Sequence, residues 1–264
     1  MCARCALCWR SQGESRRSPV PAPEKPIPSV WTRPRKQKEQ PALSRERIVA
    51  EAVALLDAEG IDNLSMRSLG TRLGAGATSL YRHVANKDEL IELVVDEVYG
   101  ELEVRDVGDP AEWRAAAADS AHSLRSMALR HPWVVSVLGQ VGLAYLGPNM
   151  MSLTERMLAI FEAAGFDLAE ADQAMSTVIS YVIGMVTSEA AYLSVLARSG
   201  QTEQEWVESL RPAAEEATKD HPRLNEGYAA QRDRDPAEIR EETFNYGLDR
   251  VLDGLEVRLG HTKG

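Results

Sequence analysis

The sequence predicts an all-α protein, in which an N-terminal three-helix helix-turn-helix domain is joined to a larger helical domain. Three observations predict it. Apolar residues recur at helical spacing along most of the chain. Capping residues bracket those segments at both ends. Strand-type alternation is absent.

The elements follow in order. Residues 1–41 are rich in Pro, Ser, Arg and Lys and carry little apolar surface. They are expected to form a disordered tail, with the basic run at 33–38 as a solvated arm. From Leu43 onward Ile48, Ala52, Leu55 and Leu56 share one helical face, with Ser44 as N-cap and Gly60 as terminator. Ser65 caps a second helix that stops at Gly74. A third spans roughly residues 77–84. Asn86 caps a fourth, with Glu89 completing a capping box. The strings Asp109-Pro110-Ala111-Glu112 and Asp235-Pro236-Ala237-Glu238 are near-identical helix starts. Between them helices are expected at about 110–130, 133–139, 149–164, 168–198 and 202–218. Residues 219–234 are charged and aperiodic and are expected to form a loop. The domain boundaries are therefore 1–41, 42–102 and 103–264.

Charge and cysteine content narrow the function classes. The 264 residues carry a net charge of −10. The first fifty hold 11 Lys+Arg and 4 Asp+Glu, or +7, so the remainder carries −17. A polyanion would meet only the N-terminal part. The three cysteines all fall within the first eight residues, which excludes a disulfide-built secreted domain. Their C-x2-C-x2-C spacing hints at a metal site, but no fourth ligand lies nearby. No apolar run approaches the roughly 20 residues needed to span a bilayer. The N-terminus lacks a basic-then-apolar signal pattern. A cytoplasmic protein without cofactor, metal or membrane partner is expected.

The segment from Asn63 to Lys87 concentrates the chemistry. It holds Arg67, Arg72, Arg82 and Lys87 and no Asp or Glu. Leu69, Gly70, Leu73, Leu80 and Val84 face inward, and Gly70 lets two helix backbones approach. Thr78, Ser79, Tyr81 and His83 offer hydrogen bonds at phosphate reach. Arg67 and Thr78 suit base edges, and Ala77 suits a thymine methyl. Bland roles compete: Tyr81 as a half-buried core aromatic, His83 as a helix-end cap, Arg72 as a solvent-facing cation.

The stretch "GIDNLSMRSLGTRLGAGATSLYRHVANKDEL" resembles the TetR-family N-terminal domain, with Leu73-Gly74, Leu80-Tyr81, Lys87 and Leu90 at the family's marked positions. The resemblance implies phosphate contacts from Ser65, Ser79, Tyr81, His83 and Lys87. It implies that Met66, Arg67, Ala77, Thr78 and Arg82 occupy positions that vary with operator sequence. The partners implied are double-stranded operator DNA, a small-molecule effector and a second copy of the chain.

The larger domain is expected to bind ligand and to dimerise. Phe244, Leu248, Val251, Leu252, Leu255 and Leu259 form one stripe on the last helix. Val178 and Val182 sit at the centre of the long helix 168–198. Such a stripe suits either a buried core helix or a dimer seam; in TetR-like proteins the equivalent helices form a four-helix interface. The segments "HPW" (131–133), "GPN" (147–149) and "FNYGLDRVLDGLE" (244–256) resemble the tetracycline-repressor subfamily. Trp113, His131, Trp133, Tyr145, Met157, Phe161, Tyr181 and Met185 are candidate pocket walls, each with a core role as its alternative. His131-Pro132 also reads as a plain helix end. An all-helical enzyme or an interaction module without DNA binding are the rival readings. Catalytic motifs are lacking, and the absence of acidic residues from 63–87 argues against the second.

Overall fold

The computed structural model describes residues 43–138 and 146–262. The expectations for the N-terminal tail, its cysteines and Tyr145 lie outside the described residues, which form helices joined by turns and short loops, with no strand.

The head begins with α1 (Arg45–Glu59), where the Ser44 side chain accepts from Arg47 N–H at 3.3 Å. Gly60 ends it at φ 78°, its N–H donating to the Leu56 carbonyl. A 3-10 turn (Ile61–Asn63) leads to α2 (Met66–Leu73), capped reciprocally by Ser65 and Ser68. Gly74 then takes the left-handed conformation at φ 64°, which glycine adopts without a Cβ penalty. Only α3 (Ala77–Leu80) is regular helix in the segment expected to run to Val84. Tight turns continue its course, with His83 and Val84 N–H both donating to the Leu80 carbonyl. Ile48, Leu55, Leu56, Leu69, Leu80 and Val84 fill the space between these helices. A Cβ on Gly70 would stand 2.9 Å from the Ala75 carbonyl oxygen, so the close approach of α2 to the turn requires glycine.

The connecting helix α4 (Lys87–Tyr99) is capped by Asn86, whose Oδ1 accepts from Glu89 N–H at 2.8 Å. Glu89 turns back to Ala85 N–H at 2.6 Å rather than to the cap residue itself. Leu90, Val94, Val95 and Val98 bury one side of α4.

In the body, α5 (Trp113–Arg130) follows a 3-10 turn begun by Asp109, and a second 3-10 turn (Pro132–Val134) leads into α6 (Val135–Leu138). The body continues with α7 (Pro148–Ala164), α8 (Leu168–Ser199), α9 (Glu203–Thr218), α10 (Pro222–Gln231) and α11 (Pro236–Thr262). Helix α8 is the axis against which α5, α7 and α11 pack. Asp109 and Asp235 each accept from the N–H two residues on, at 2.9 and 2.8 Å, so the two matching start strings act alike.

Two departures have physical causes. Residues 222–231 form α10 rather than a loop. This helix starts on Pro222 and buries none of its residues, so no apolar period marks it in the sequence. Contrary to the expectation that no apolar run approaches membrane-spanning length, helix α8 is long and apolar enough, by length and composition, to cross a bilayer. Its Ser, Thr and Gly residues break the run while leaving the window apolar.

The start of α7 is capped from outside. Asp96 Oδ1, on α4, accepts from Met150 N–H at 3.0 Å, and Asn149 Nδ2 donates to the Asp96 carbonyl at 3.0 Å. A carboxylate here satisfies a free helix N–H and meets the positive end of the helix dipole. Any Cβ on Gly147 would overlap the Asp96 carboxyl. Gly147→Ala is therefore expected to lose about 1–3 kcal/mol of stability, the usual range for overpacking. Urea unfolding measures this, and Asp96→Ala should add less to that variant than to the native chain.

Candidate nucleic-acid interface and helical body

The first turn of α2, the turn before α3 and the start of α4 share one polar surface. Ser65, Arg67, Thr78, Tyr81 and Arg82 are exposed; Ala77, Ser79, His83 and Lys87 are half-covered. Tyr81 is 52% exposed, which removes its core alternative. Its neighbour Leu80 is fully buried and anchors the turn. Met66 is a correction: it is only 8% exposed and packs in the head core, so its side chain is not presented to a base edge. The alternation is helical, since Met66 shares its inward face with Leu69, Gly70 and Leu73.

The cations divide into two groups. Arg72 donates to Glu51 at 2.7 Å and Glu59 at 3.4 Å, both on α1, and these carboxylates raise its pKa. It braces α2 against α1. Among the described residues Arg67, Arg82 and Lys87 form no ion pair with a carboxylate. They leave uncompensated positive charge in a segment, 63–87, that itself holds no Asp or Glu, and there phosphates would replace water and counterions.

Two junctions join this head to the body. The first gathers at Asp57, on α1. Its Oδ1 accepts from Trp133 Nε1 at 2.7 Å and lies 2.7 Å from His131 Nδ1. His131 Nε2 lies 3.1 Å from Glu101, which also accepts from Arg130 at 2.7 Å. Burial pushes the Glu101 carboxyl up, but the hydrogen bonds and charges of Arg130 and His131 outweigh it and hold its pKa low. The second junction is Asp96 at the start of α7. Thus "HPW" and "GPN" both mark places where body meets head.

The body interior differs from the expected pocket. Trp113 and Phe161 are buried against each other and Phe166, with ring centroids 6.2–6.3 Å apart. Met157 lies in the same core. His131 and Trp133 are committed to Asp57. Tyr181 donates to the Phe244 carbonyl at 2.7 Å, and its ring fills the space that Gly247 leaves open. These side chains form core and junction. Of the expected walls among the described residues, only Met185 borders the cavity of about 540 Å³ between the C-terminal half of α8, α9, α10 and the start of α11.

The dimer set is corrected in part. Val178, Val182, Phe244, Leu248 and Leu252 are buried inside their own protomer, on the face where α8 meets α11 and α5. Their stripe is an intramolecular seam. Val251 and Leu255 remain half-covered at its rim.

One cluster was not read from the sequence. Arg125, on α5, makes a bidentate pair with Glu189 of α8 at 2.8 and 2.9 Å, reaches Glu241 of α11, and lies 4.6 Å from the Phe244 ring. Its hydrogen bonds to Glu189 raise its pKa and, with those to Glu241, keep it charged despite burial. Arg240 bridges Glu189 and Glu203. The only signal was an arginine on the apolar stripe of an alanine-rich helix.

Comparison with known proteins decides the family. The model of the tetracyclin repressor-like C-terminal domain matches residues 107–259, more than half of the chain. The model of bacterial regulatory proteins of the tetR family matches residues 48–94. The chain belongs to the TetR family. Among its relatives is an HTH-type transcriptional regulator of Saccharopolyspora erythraea, 41% identical over 62% of this chain and 69% of that one. The HTH-type transcriptional repressor DrrR1 of Streptomyces coeruleorubidus is 33% identical over 85% of this chain and 82% of its own. Among solved structures, the TetR family protein ActR of Streptomyces coelicolor in complex with actinorhodin has a TM-score of 0.66 at 30% identity. The match covers 83% of this chain and 99% of ActR. As a TetR-family member the chain is a ligand-responsive, DNA-binding transcriptional regulator, and its head is the family's helix-turn-helix.

The Asp57 junction generates a test. Asp57→Ala strips the nearly buried Trp133 N–H and His131 of their shared acceptor. Stability is expected to fall by about 1–3 kcal/mol, the cost of leaving buried polar groups unpaired. Urea unfolding followed by Trp fluorescence reports it, and an unchanged midpoint would show the junction to be incidental.

Proposed function

We propose that this TetR-family chain is a homodimeric cytoplasmic repressor that holds a palindromic operator until a small molecule releases it. The observation that carries the reading is the acid-free segment 63–87, whose Arg67, Arg82 and Lys87 form no ion pair with a carboxylate among the described residues. Ser65, Ser79, Tyr81, His83 and Lys87 contact phosphates and fix register. Arg67, Thr78 and Arg82 read bases, and Ala77 packs on a methyl. The buried Met66 supports the first turn of α2 from beneath. Relatives that are repressors, and a neighbour solved with a bound small molecule, support repression and release.

Dimerisation rests on α8. Only 17% of its most apolar window is buried within one protomer. A soluble helix that apolar needs a further partner. A second copy of the same pair of helices supplies it, with Val251 and Leu255 of α11 completing their burial. Two heads can then meet half-sites about 34–36 Å apart.

The junctions give release a route. Asp57 ties α1 to the segment after α5, and Asp96 ties α4 to the start of α7. A ligand that shifts the body drags α4 and changes head spacing. Linkage requires that operator weaken ligand binding by the same factor.

Mobility-shift titration against the upstream region of its own gene and against random duplex tests the head. Tyr81→Ala or Lys87→Ala should weaken binding to both duplexes and Lys87→Ala should flatten the salt dependence by about one unit in slope. Arg67→Ala should cost about 1–3 kcal/mol on the operator and little on random DNA. Operator binding that no salt concentration reveals would remove the reading.

Leu255→Glu tests the seam. It should yield a monomer by light scattering and lose operator affinity at least tenfold. A variant that stays dimeric would move the interface elsewhere.

A further inference from the structure

The cleft beside Met185 combines an apolar wall with one arginine unlike its neighbours. Four arginines line it. Arg232 pairs with Glu215 at 2.6 Å, Arg234 with Glu242 at 2.5 Å, and Arg240 with Glu189 and Glu203. Arg211, half-buried on α9, donates only to the Arg232 carbonyl, at 3.5 Å. Among the described residues it forms no ion pair with a carboxylate. Met185, Val207, Leu210, Tyr228 and Ile239 form much of the remaining wall, and Leu210 and Tyr228 are 45% and 56% exposed.

We propose that this cleft is a small-molecule site for an amphipathic aromatic anion. Its carboxylate, sulfonate or phenolate sits on Arg211, and its ring system lies against Leu210, Tyr228 and Ile239. Three features argue for that chemistry. The volume of about 540 Å³ falls within the range of roughly 300–1,000 Å³ typical of small-molecule sites. A guanidinium beside apolar walls gains more from an anion than one in open water, because the local dielectric is reduced. Each of the lining carboxylates Glu189, Glu203 and Glu215 already faces an arginine, so a cationic ligand finds no free counter-charge. The cleft's floor also reaches the body interior, since Glu189 carries the bidentate pair from Arg125 of α5. Occupation of the cleft stands independently of the repressor reading; release of operator by the occupant rests on it.

The test uses the full chain and two fluorescent probes of similar size. One is the anion 8-anilinonaphthalene-1-sulfonate and the other the neutral N-phenyl-1-naphthylamine. Arg211→Gln should weaken the anion roughly five- to tenfold and leave the neutral probe within twofold, as expected for loss of one charge-assisted contact. Arg211→Lys should restore most of the loss. Arg223→Gln, an exposed α10 arginine outside the wall, should bind both probes as the native chain does. Native-like binding of the anion to Arg211→Gln overturns the proposal, as does an equal loss of both probes. It also falls if neither probe binds the native chain, including where a Cys introduced at Leu210 cross-links to a second copy covering the cleft. A chain that binds the anion but never binds operator would instead sink the repressor reading and leave the site standing.

Discussion

The fold depends on a carboxylate lent by one domain to the backbone of another. Asp96 lies on α4, the helix that leaves the reading head, yet it caps α7, a helix of the body. The position demands glycine at 147 and pairs with Asn149. A helix terminus buried without partners would cost several unsatisfied N–H groups. The body therefore needs α4 in one place, and α4 fixes the entrance of the chain into the head. Asp57 repeats the device from the opposite direction, with an α1 carboxylate receiving the indole N–H of Trp133 and facing His131. Both contacts are polar, directional and short. Apolar packing between domains tolerates sliding, whereas such contacts break or hold. The head is thereby held against the body through discrete contacts.

The ion network inside the body has another character. Arg125 and Glu189 are each about nine-tenths covered, so their mutual attraction is set against a large desolvation cost. Hydrophobic replacement could match their stability. What the network adds is register: α5, α8 and α11 meet through one arginine with two carboxylates, and Arg240 extends the chain of charges to α9. Sliding any of these helices by one turn would strand a buried charge. The apolar seam of Val178, Val182, Phe244, Leu248 and Leu252 supplies the burial, and the charges select its alignment.

Legibility in the sequence followed the range of the interactions. Local signals were readable: Ser44, Ser65, Asn86, Asp109 and Asp235 cap helices as their spacing implies. Inward and outward faces of the head were readable from period, except at Met66, where family likeness suggested contact and the period of α2 requires burial. Interactions between distant segments were not readable. Nothing near Asp57 or Asp96 in the chain indicates a partner 74 or 54 residues away. The aromatic residues of the body raised the expectation of a pocket, but Trp113 and Phe161 fill their own space by mutual contact. Composition reveals that such rings are buried, not whether a void remains among them.

Helix α8 carries this distinction furthest. Its inward residues Ala171, Ala174, Met175, Val178, Val182 and Val186 follow one stripe, and a protomer alone satisfies them. The opposite side contributes Ser180, Gly184, Thr187 and Ala191, which are small and exposed. The helix thus has an apolar inner seam and a shallow outer one. Bulky apolar groups at these four positions would promote aggregation. Small side chains instead let another helix approach closely. On α11 Val251 and Leu255 stay half-covered at the rim of the inner seam, beside the buried Leu248 and Leu252. A single sequence stripe on α11 thus holds both fully buried and half-covered residues, and only the packing of α8 separates them.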